Sequence, residues 1–265
     1  MFKRLKEIYA YRNLLWLLVR KEMKLKYHGS ILGFVWSVMK PLFLMMVYYF
    51  VFDKILGRST PPYAILTGLL PWMMFISSNT ASANSILKSF NIMNQIRFPY
   101  EILPLSKIFS NVINFAISLV VLLTLYAIYK VPFQAYMLYF PILLLIELTL
   151  IIGLSLILCS ITIFIRDITI ILDVIFKAWF FLTPVIYSYS LVTDRSGPLL
   201  QKLYLLNPMT PIVVSMKFVM GVDPNFGILP PMWGHLMYSL GLGIILIIIG
   251  YILFSKLRNK FIKLI

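Results

Sequence analysis

The sequence predicts an all-α membrane protein, and three observations support this fold class. Of the 265 residues, 61% are hydrophobic and only 12% are charged, about half the charged share of a soluble domain. Six apolar segments reach or approach the length of about 20 residues that a helix needs to cross a bilayer. Tryptophan and tyrosine lie near several segment ends, as interfacial anchors do. We expect one polytopic domain over residues 1–265, because no polar or low-complexity linker divides the chain.

The apolar segments define the predicted topology. We place the spans, in chain order, at residues 31–52, 63–86, 108–129, 136–165, 168–189 and 235–255. Residues 31–189 thus hold five spans, and the fourth is long enough to tilt in the bilayer. The segment 190–234 contains two apolar stretches interrupted by prolines, each too short to cross. We expect short re-entrant or interfacial helices there, on the outer side and before the sixth span.

The N-terminal segment, residues 1–28, is basic and only partly apolar. Its lysines and arginines surround an imperfectly segregated apolar face, which is typical of a helix in the cytoplasmic interface of a membrane with anionic lipids. The apolar stretch is short and has no small-residue cleavage site, so we expect no removable signal peptide. The basic residues closest to the first span are Arg20, Lys21, Lys24 and Lys26.

The distribution of positive charge predicts the orientation. The net charge is +15, from 24 Lys and Arg against 9 Asp and Glu. Counted over the predicted loops, 16 basic residues fall on the side of the termini and 6 on the opposite side. Because Lys and Arg collect in cytoplasmic loops, both termini are expected in the cytoplasm. The same rule explains the basic charge without a nucleic-acid partner.

Sequence motifs of enzymes are absent from the chain. It has no G-x-x-x-x-G-K-[ST] phosphate-binding loop, no G-x-S-x-G, no H-E-x-x-H and no paired cysteines. Cys159 is the only cysteine, and with two histidines it does not suggest a metal centre. We therefore expect no catalytic site, cofactor or metal in this chain, and any work it performs must draw energy from another chain or an ion gradient.

Four ionisable residues fall inside the predicted spans, where charge is costly: Lys40, Glu147, Asp173 and Lys177. Asp173 and Lys177 are spaced i,i+4 and can pair along one helix face. A neutralised pair beside a Lys40 that reaches towards the interface is the favoured interpretation, and a proton relay is the alternative. Glu147 lies near the middle of its span and has no assigned role, beyond facing protein or water rather than lipid.

Two aromatic stripes follow helical spacing. In the first span, one face carries Trp36, Lys40, Phe43, Val47 and Phe50. In the fifth, one face carries Asp173, Phe176, Phe180, Thr183 and Tyr187. Aromatic faces stack on sugar rings and would offer a weakly binding track for a glycan. Ordinary helix packing also produces this periodicity, and from spacing alone it is the favoured interpretation.

Five motifs in chain order resemble those of the permease subunits of bacterial two-component ABC exporters of polysaccharide, a type-2 ABC exporter family. They are residues 20–27 with 30–36 and Pro41, the loop 97–105, the pair Arg166-Asp167, the run 183–187 and the run 206–211. The resemblance covers nearly the whole chain. It implies a homodimer in a bacterial inner or plasma membrane, with a separate ATP-binding subunit on the cytoplasmic face that holds ATP and Mg²⁺.

The resemblance also implies roles for particular segments. The substrate would be O-antigen of lipopolysaccharide, teichoic acid or capsular glycan on a lipid carrier. The N-terminal helix would guide the lipid head group, residues 88–101 would dock on the ATPase, and the outer helices would form an exit gate. The residues expected to couple to the ATPase are Arg97, Phe98, Pro99, Glu101, Arg166 and Asp167. Those expected along the substrate path are Trp36, Lys40, Phe43, Phe50, Phe176, Phe180 and Tyr187, where Lys40 replaces a neutral polar residue.

Three alternatives remain at this point. A related type-2 ABC permease for drugs or small lipids would share the topology. A membrane-embedded glycan-processing enzyme would need acidic or histidine residues clustered at one membrane face, and the sequence has no such cluster. A secondary transporter is disfavoured because no inverted repeat is visible.

Overall fold

A computed structural model describes residues 2–30, 32–57, 60–96, 98–195, 197–222 and 232–264. Within these ranges the fold is all-α and contains no β-strand, as predicted. Two N-terminal helices, α1 (Phe2–Ala10) and α2 (Arg12–Tyr27), precede the bundle. Gly29 and Gly33 follow, both with positive φ, which lets the chain turn between α2 and the first long helix.

The first half of the bundle contains three long helices. A 3₁₀ turn (Gly33–Val35) leads into α3 (Trp36–Tyr49), which continues as a π-helical turn (Phe50–Ile55). Next comes α4 (Pro62–Ala83), with proline in its first turn, where no backbone N–H is needed. Two short helices, α5 (Ser85–Lys88) and α6 (Phe90–Gln95), connect it to α7 (Ile102–Ile128).

The second half contains three long helices and a set of short ones. A 3₁₀ turn (Ala135–Tyr139) precedes α8 (Phe140–Thr162), and α9 (Ile168–Phe181) follows it. The predicted outer segment forms α10 (Ser190–Arg195), α11 (Pro198–Leu206) and α12 (Met209–Val219). The chain ends with α13 (Trp233–Leu264). Residues 223–231 of the outer segment lie outside the described ranges.

Helix α4 forms the centre of the bundle. It packs against α3, α7, α8, α9 and α12, and most of its side chains are buried. One of its buried polar residues is hydrogen-bonded on both sides: Asn79 donates to the carbonyl of Phe75, and Ser155 of α8 donates to Asn79 Oδ1 at 3.0 Å. Because α4 faces protein rather than lipid, it tolerates a less apolar sequence than its neighbours.

Helices α8 and α13 form the closest helix pair. A methyl group added at Gly153 would lie 2.6 Å from Leu246 Cβ and 2.7 Å from the backbone nitrogen of Ile247. One added at Gly250 would lie 2.9 Å from the carbonyl oxygen of Gly153. Glycines at a helix crossing allow the backbones to approach, which is the usual way that membrane helices associate.

Length and composition identify four helices of the described chain as able to cross a membrane: Gly33–Ile55, Ile102–Ile128, Ala135–Thr162 and Trp233–Arg258. They correspond to four of the six predicted spans. The fifth predicted span, 168–189, differs most from the structure. Its helix α9 ends at Phe181 after 14 residues, about 21 Å of helix, and turns follow it.

Candidate substrate path and coupling surface

Helix α2 lies against the first half of α7, and two polar contacts join them. Glu22 forms an ion pair with Lys107 at 2.5 Å, in which the Lys107 side chain is only 11% exposed. One turn on, Lys26 Nζ donates to Asn111 Oδ1 at 3.2 Å. Leu18 of α2 is buried beside these two polar contacts. The predicted interfacial helix is thus fixed to the bundle through polar as well as apolar contacts.

The opposite face of α2 carries exposed basic and aromatic groups. Arg20, Lys21 and Lys24 are exposed, and the Arg20 guanidinium lies 5.5 Å from the ring centroid of Trp16. Trp16 is itself half-exposed. Basic groups beside an exposed aromatic ring match the surface of a helix at a membrane interface.

Lys26 is also exposed, but its ammonium group is partly buried where it meets α7. Burial of its ammonium group lowers the pKa of Lys26, and the positive charge of Lys40 on α3 lowers it further. Two lysines from different helices therefore lie close enough to repel each other at the start of α3. Such a place favours an anion.

The predicted coupling residues divide into buried and exposed groups. Phe98, Pro99 and Glu101 are buried at the end of the bundle where α4 and α8 terminate. Phe98 belongs to an apolar cluster at that end, which also contains Ile102, Cys159 and Phe254. The side chains of these three predicted residues are buried inside the protein, so they are not exposed to a partner.

The exposed residues at this end are different ones. Arg166 and Asp167 are exposed in the turn before α9. Ile96 is half-exposed just after α6, next to exposed Gln95. Arg97 lies outside the described residues. Ile96 lies within the segment 88–101 predicted to dock on the ATPase, but the sequence analysis did not single it out.

The aromatic stripe of α3 points away from the rest of the described chain. Phe43 is 56% exposed, and Trp36, Val47 and Phe50 are similarly exposed. Lys40 lies on the same face and forms no hydrogen bond or ion pair with any other described residue. This face is therefore free to meet lipid, substrate or another chain.

A cavity of about 320 Å³ lies between α3, α4 and α9. Its charged and hydroxyl-bearing residues are Lys40, Ser77, Thr80, Asp173 and Lys177. Its aromatic residues are Tyr48, Trp72, Phe176, Phe180 and Phe181. Three predicted path residues, Lys40, Phe176 and Phe180, thus line one cavity, together with Trp72, which the sequence did not single out.

The aromatic residues of α9 are packed more tightly than those of α3. Phe180 is 8% exposed, and its ring centroid lies 5.7 Å from that of Tyr48 and 6.0 Å from that of Trp72. Phe176 is buried against Phe75, with centroids 5.8 Å apart. Both rings belong to the core and present only part of their surface to the cavity.

The predicted stripe of α9 is wrong beyond Phe181. The helix ends there, so Thr183 and Tyr187 do not continue its face. Instead Tyr187 folds back and its hydroxyl donates to the carbonyl of Phe181 at 2.8 Å. Within the helix, the predicted Asp173–Lys177 pair is confirmed, with Nζ and Oδ2 2.6 Å apart and both side chains exposed at the cavity.

The turn after α9 is tied to the outer helices. Asn207 accepts a hydrogen bond from the indole of Trp179 at 2.8 Å and donates to the hydroxyl of Thr183 at 2.8 Å. Lys217 of α12 is buried and donates to the carbonyls of Pro184 and Tyr187. Asn207 belongs to the motif 206–211, whereas the sequence analysis did not single out Lys217. The two residues join the turn after α9 to α11 and α12.

The turn after α9 also makes a close backbone contact with α4. A methyl group added at Gly68 of α4 would lie 2.2 Å from the carbonyl oxygen of Val185 and 2.6 Å from Lys217 Cε. Glycine is therefore required where the turn crosses α4.

Glu147 is fully buried in α8, and neither carboxyl oxygen has a hydrogen-bond partner among the described residues. It faces protein rather than lipid, as expected for an ionisable residue in a span. Glu147 is not among the residues that line the cavity.

Comparisons with known proteins bear on the function of this arrangement. The family model of the ABC-2 type transporter matches residues 13–222. The O-antigen export system permease protein RfbA of Myxococcus xanthus is 35% identical over 221 residues, 83% of this chain and 84% of that protein. The protein of the same name from Klebsiella pneumoniae is 26% identical over 252 residues, 94% of this chain and 93% of that protein. The similarity therefore extends over nearly the full length of both relatives.

Proposed function

The chain belongs to the ABC-2 type transporter family, and from this premise we propose that it is the membrane-spanning permease of an ATP-driven polysaccharide exporter. The observation that carries the proposal is its similarity, over most of its length, to permeases named for O-antigen export. We propose a lipid-linked glycan of the O-antigen or teichoic acid type as the substrate. The glycan would pass outward from the cytoplasm across the inner or plasma membrane.

ATP hydrolysis is assigned to a separate subunit. The chain has no phosphate-binding loop, so ATP and Mg²⁺ would bind in the partner. The proposed dock is the end of the bundle that carries Ile96, Arg166 and Asp167, which expose their side chains. Phe98, Pro99 and Glu101 would lie beneath this surface. Because they directly precede α7 in the chain, they would transmit movement of the surface to that helix.

We propose six spans with both termini in the cytoplasm. Helix α4, with 22 residues and about 33 Å of length, is long enough to cross. Its polar residues are no obstacle, because α4 is surrounded by protein. Helix α9 would cross together with residues 182–186. Thr183, Pro184, Val185 and Ile186 are buried, and non-helical backbone is tolerated at membrane depth where protein covers it.

The exposed stripe of α3 supports a homodimer with a path between the copies. An aromatic face with a lysine on it is a poor lipid surface, because Lys40 would lie in hydrocarbon without a partner. A second copy opposite α3 would enclose that face and leave a water-filled path. Trp36, Phe43 and Phe50 would form its wall, and sugar rings would contact their faces weakly enough to keep moving.

Association with an ATPase tests the proposed function. Co-expression with the genes that neighbour it, followed by purification on a tag attached to this chain, is expected to retain an ATP-binding subunit. The isolated chain should hydrolyse no ATP, and the complex should hydrolyse it faster when lipid-linked glycan is added. If only drugs or short-chain lipids stimulate hydrolysis, the protein is an ABC-2 permease for small molecules instead.

A further inference from the structure

Asn207 lies between α11 and α12, and its side chain joins three parts of the chain. Its Oδ1 accepts hydrogen bonds from the indole of Trp179 at 2.8 Å and from the backbone nitrogen of Met209 at 3.1 Å. Its Nδ2 donates to the carbonyl of Leu182 at 3.1 Å and to the hydroxyl of Thr183 at 2.8 Å. A side-chain amide has two donors and an oxygen that accepts two bonds, so Asn207 uses its full capacity to connect α9, the turn after it and the start of α12.

Lys217 binds the far part of the same turn to α12. Its ammonium group donates to the carbonyl of Pro184 at 2.7 Å and to that of Tyr187 at 3.0 Å. Val185, between these two residues, is fully buried. The turn 182–187 is therefore hydrogen-bonded both to Asn207, just before α12, and to Lys217, near the end of α12, so that the turn and α12 form one unit.

Helix α9 is packed on one side only. Its buried residues are Leu172, Phe176 and Phe180, and its main packing partners are α4 and α8. On its other sides, Ile170 and Val174 are 68% and 63% exposed. Apolar packing is non-directional, whereas a hydrogen bond fixes both distance and angle. The bond from Trp179 to Asn207 thus fixes the end of α9 relative to the outer helices more strictly than packing fixes the rest of α9.

The two ends of α9 lie near different surfaces of the molecule. The helix begins at Ile168, directly after the exposed residues Arg166 and Asp167 of the proposed ATPase dock. Trp179 lies 11 residues further along, about 17 Å up the helix axis. A single short helix therefore connects the proposed dock with the side chain that joins the turn and α12.

We propose that Asn207 is a positioning residue that transmits movement of α9 to the turn 182–187 and to α12. The inference rests on the proposed function, since an ATP-binding subunit acting at Arg166 and Asp167 would supply the movement. When α9 shifts, the indole of Trp179 moves Asn207, and the turn and α12 follow because they are bound to each other. This joint movement exposes Val185 to water. Without the bond, α9 moves and the turn stays in place.

The reactivity of a cysteine at position 185 tests the proposal. Val185→Cys is introduced in a Cys159→Ser background, and the complex with the ATP-binding subunit is placed in lipid nanodiscs. The rate of labelling by a water-soluble maleimide is measured with and without ATP and Mg²⁺. Because a buried thiol reacts only when its surroundings open, ATP is expected to raise the rate roughly tenfold. Lys202→Cys, at an exposed position of α11, should react at the same rate in both conditions.

Trp179→Phe keeps an aromatic ring but removes the indole N–H that binds Asn207. In this variant the ATP-dependent rise is expected to fall below about twofold, because α9 no longer moves the turn, while ATP hydrolysis is retained. Asn207→Leu, which removes the acceptor of the same bond, should lose the rise as well. Trp233→Phe is the matched control and should keep it, since Trp233 lies at the start of α13 and packs on Tyr139.

Two results would overturn the proposal. A full ATP-dependent rise in Trp179→Phe and Asn207→Leu would show that movement reaches the turn by another route. Fast labelling of both variants without nucleotide, unchanged by ATP, would show that the bond only holds the turn in place. Retained ATP hydrolysis identifies the variants that are folded and assembled.

The labelling assay needs the ATP-binding subunit but no glycan, so its result is separate from the choice of substrate. ATP-driven glycan export by a complex in which ATP does not change the labelling of Val185→Cys would refute the inference alone. ATP-dependent labelling in a complex that moves only drugs or short-chain lipids would support the inference and refute the proposed function.

Discussion

At the scale of single residues, the buried ionisable groups differ in how they are satisfied. Lys217 donates to two carbonyl oxygens, and Lys107 is paired with Glu22. Glu147 has neither kind of contact among the described residues. An unsatisfied buried polar group costs about 1–3 kcal/mol. The contacts of Lys217 and Lys107 thus offset part of the cost of burying their charge, whereas no contact with a described residue offsets it for Glu147.

Phe43 and Phe180 form a matched pair for testing the proposed path. Phe180→Ala removes a ring that is 8% exposed and is expected to destabilise the protein by about 3–5 kcal/mol. Phe43→Ala removes a ring that is 56% exposed and should change stability by no more than about 0.5 kcal/mol. If Phe43 lines the path, its loss should still reduce export.

Protein abundance and glycan export are measured together for both variants. Export by Phe43→Ala is expected to fall while its abundance stays at the wild-type level. If export falls only in proportion to abundance, the α3 stripe contributes to packing and does not line the path.

The same two residues show what the sequence could predict about individual side chains. Helical spacing placed each aromatic set on one face correctly within its helix. Spacing contains no information about which neighbour covers that face, so the exposed Phe43 and the buried Phe180 looked equivalent. The Asp173–Lys177 pair was predictable because both partners lie on one helix. The contacts of Asn207 and Lys217 join residues that are distant in sequence, so local sequence patterns could not predict them.

At the scale of elements, α2 is attached to α7 by the Glu22–Lys107 pair. Glu22→Gln leaves the Lys107 ammonium poorly satisfied and is expected to destabilise the packing of α2 by about 1–3 kcal/mol. Hydrogen exchange of α2 should then accelerate while exchange in the centre of α7 stays slow. The charge-reversed pair Glu22→Lys with Lys107→Glu should restore protection.

Asn13→Lys provides the control for this experiment, since Asn13 is exposed on the same helix and its substitution raises the charge of α2 by one unit, as Glu22→Gln does. Equal acceleration by Asn13→Lys and Glu22→Gln would show that net charge on α2, and not the ion pair, fixes the helix.

Two helix boundaries explain where the sequence-based elements differ from the structure. The fifth span was extended to residue 189 because the apolar run continues, but Pro184 disfavours helix in the residue before it, and α9 ends at Phe181. Helix α7 begins at Ile102, six residues before the predicted start. Pro104 lies in the first turn of α7, where proline is tolerated.

At the scale of the whole molecule, the proposed orientation rests on the charge distribution. Cysteine labelling in a Cys159→Ser background should mark Lys202→Cys from outside the cell, because α11 belongs to the proposed outer segment. Lys256→Cys, near the end of α13, should react only after the membrane is permeabilised. Labelling of Lys256→Cys in intact cells would reverse the proposed topology.

Different parts of the molecule would perform different steps of the proposed transport. In the proposed function, an ATPase would act on the end that carries Ile96 and Asp167, and the glycan would follow the α3 face outward. The hydrogen bonds of Asn207 and Lys217 join the helices of the opposite, proposed outer end. We propose that these contacts open during transport.

Glycan transport into inside-out membrane vesicles tests the central claim most directly. The vesicles contain this permease with its ATP-binding subunit, and lipid-linked glycan is supplied at the exposed cytoplasmic face. The account predicts that glycan accumulates in the lumen with ATP, and fails to do so with a non-hydrolysable analogue or without the ATP-binding subunit. Vigorous ATP hydrolysis by the complex without accumulation of glycan, or accumulation that continues without ATP, would contradict it.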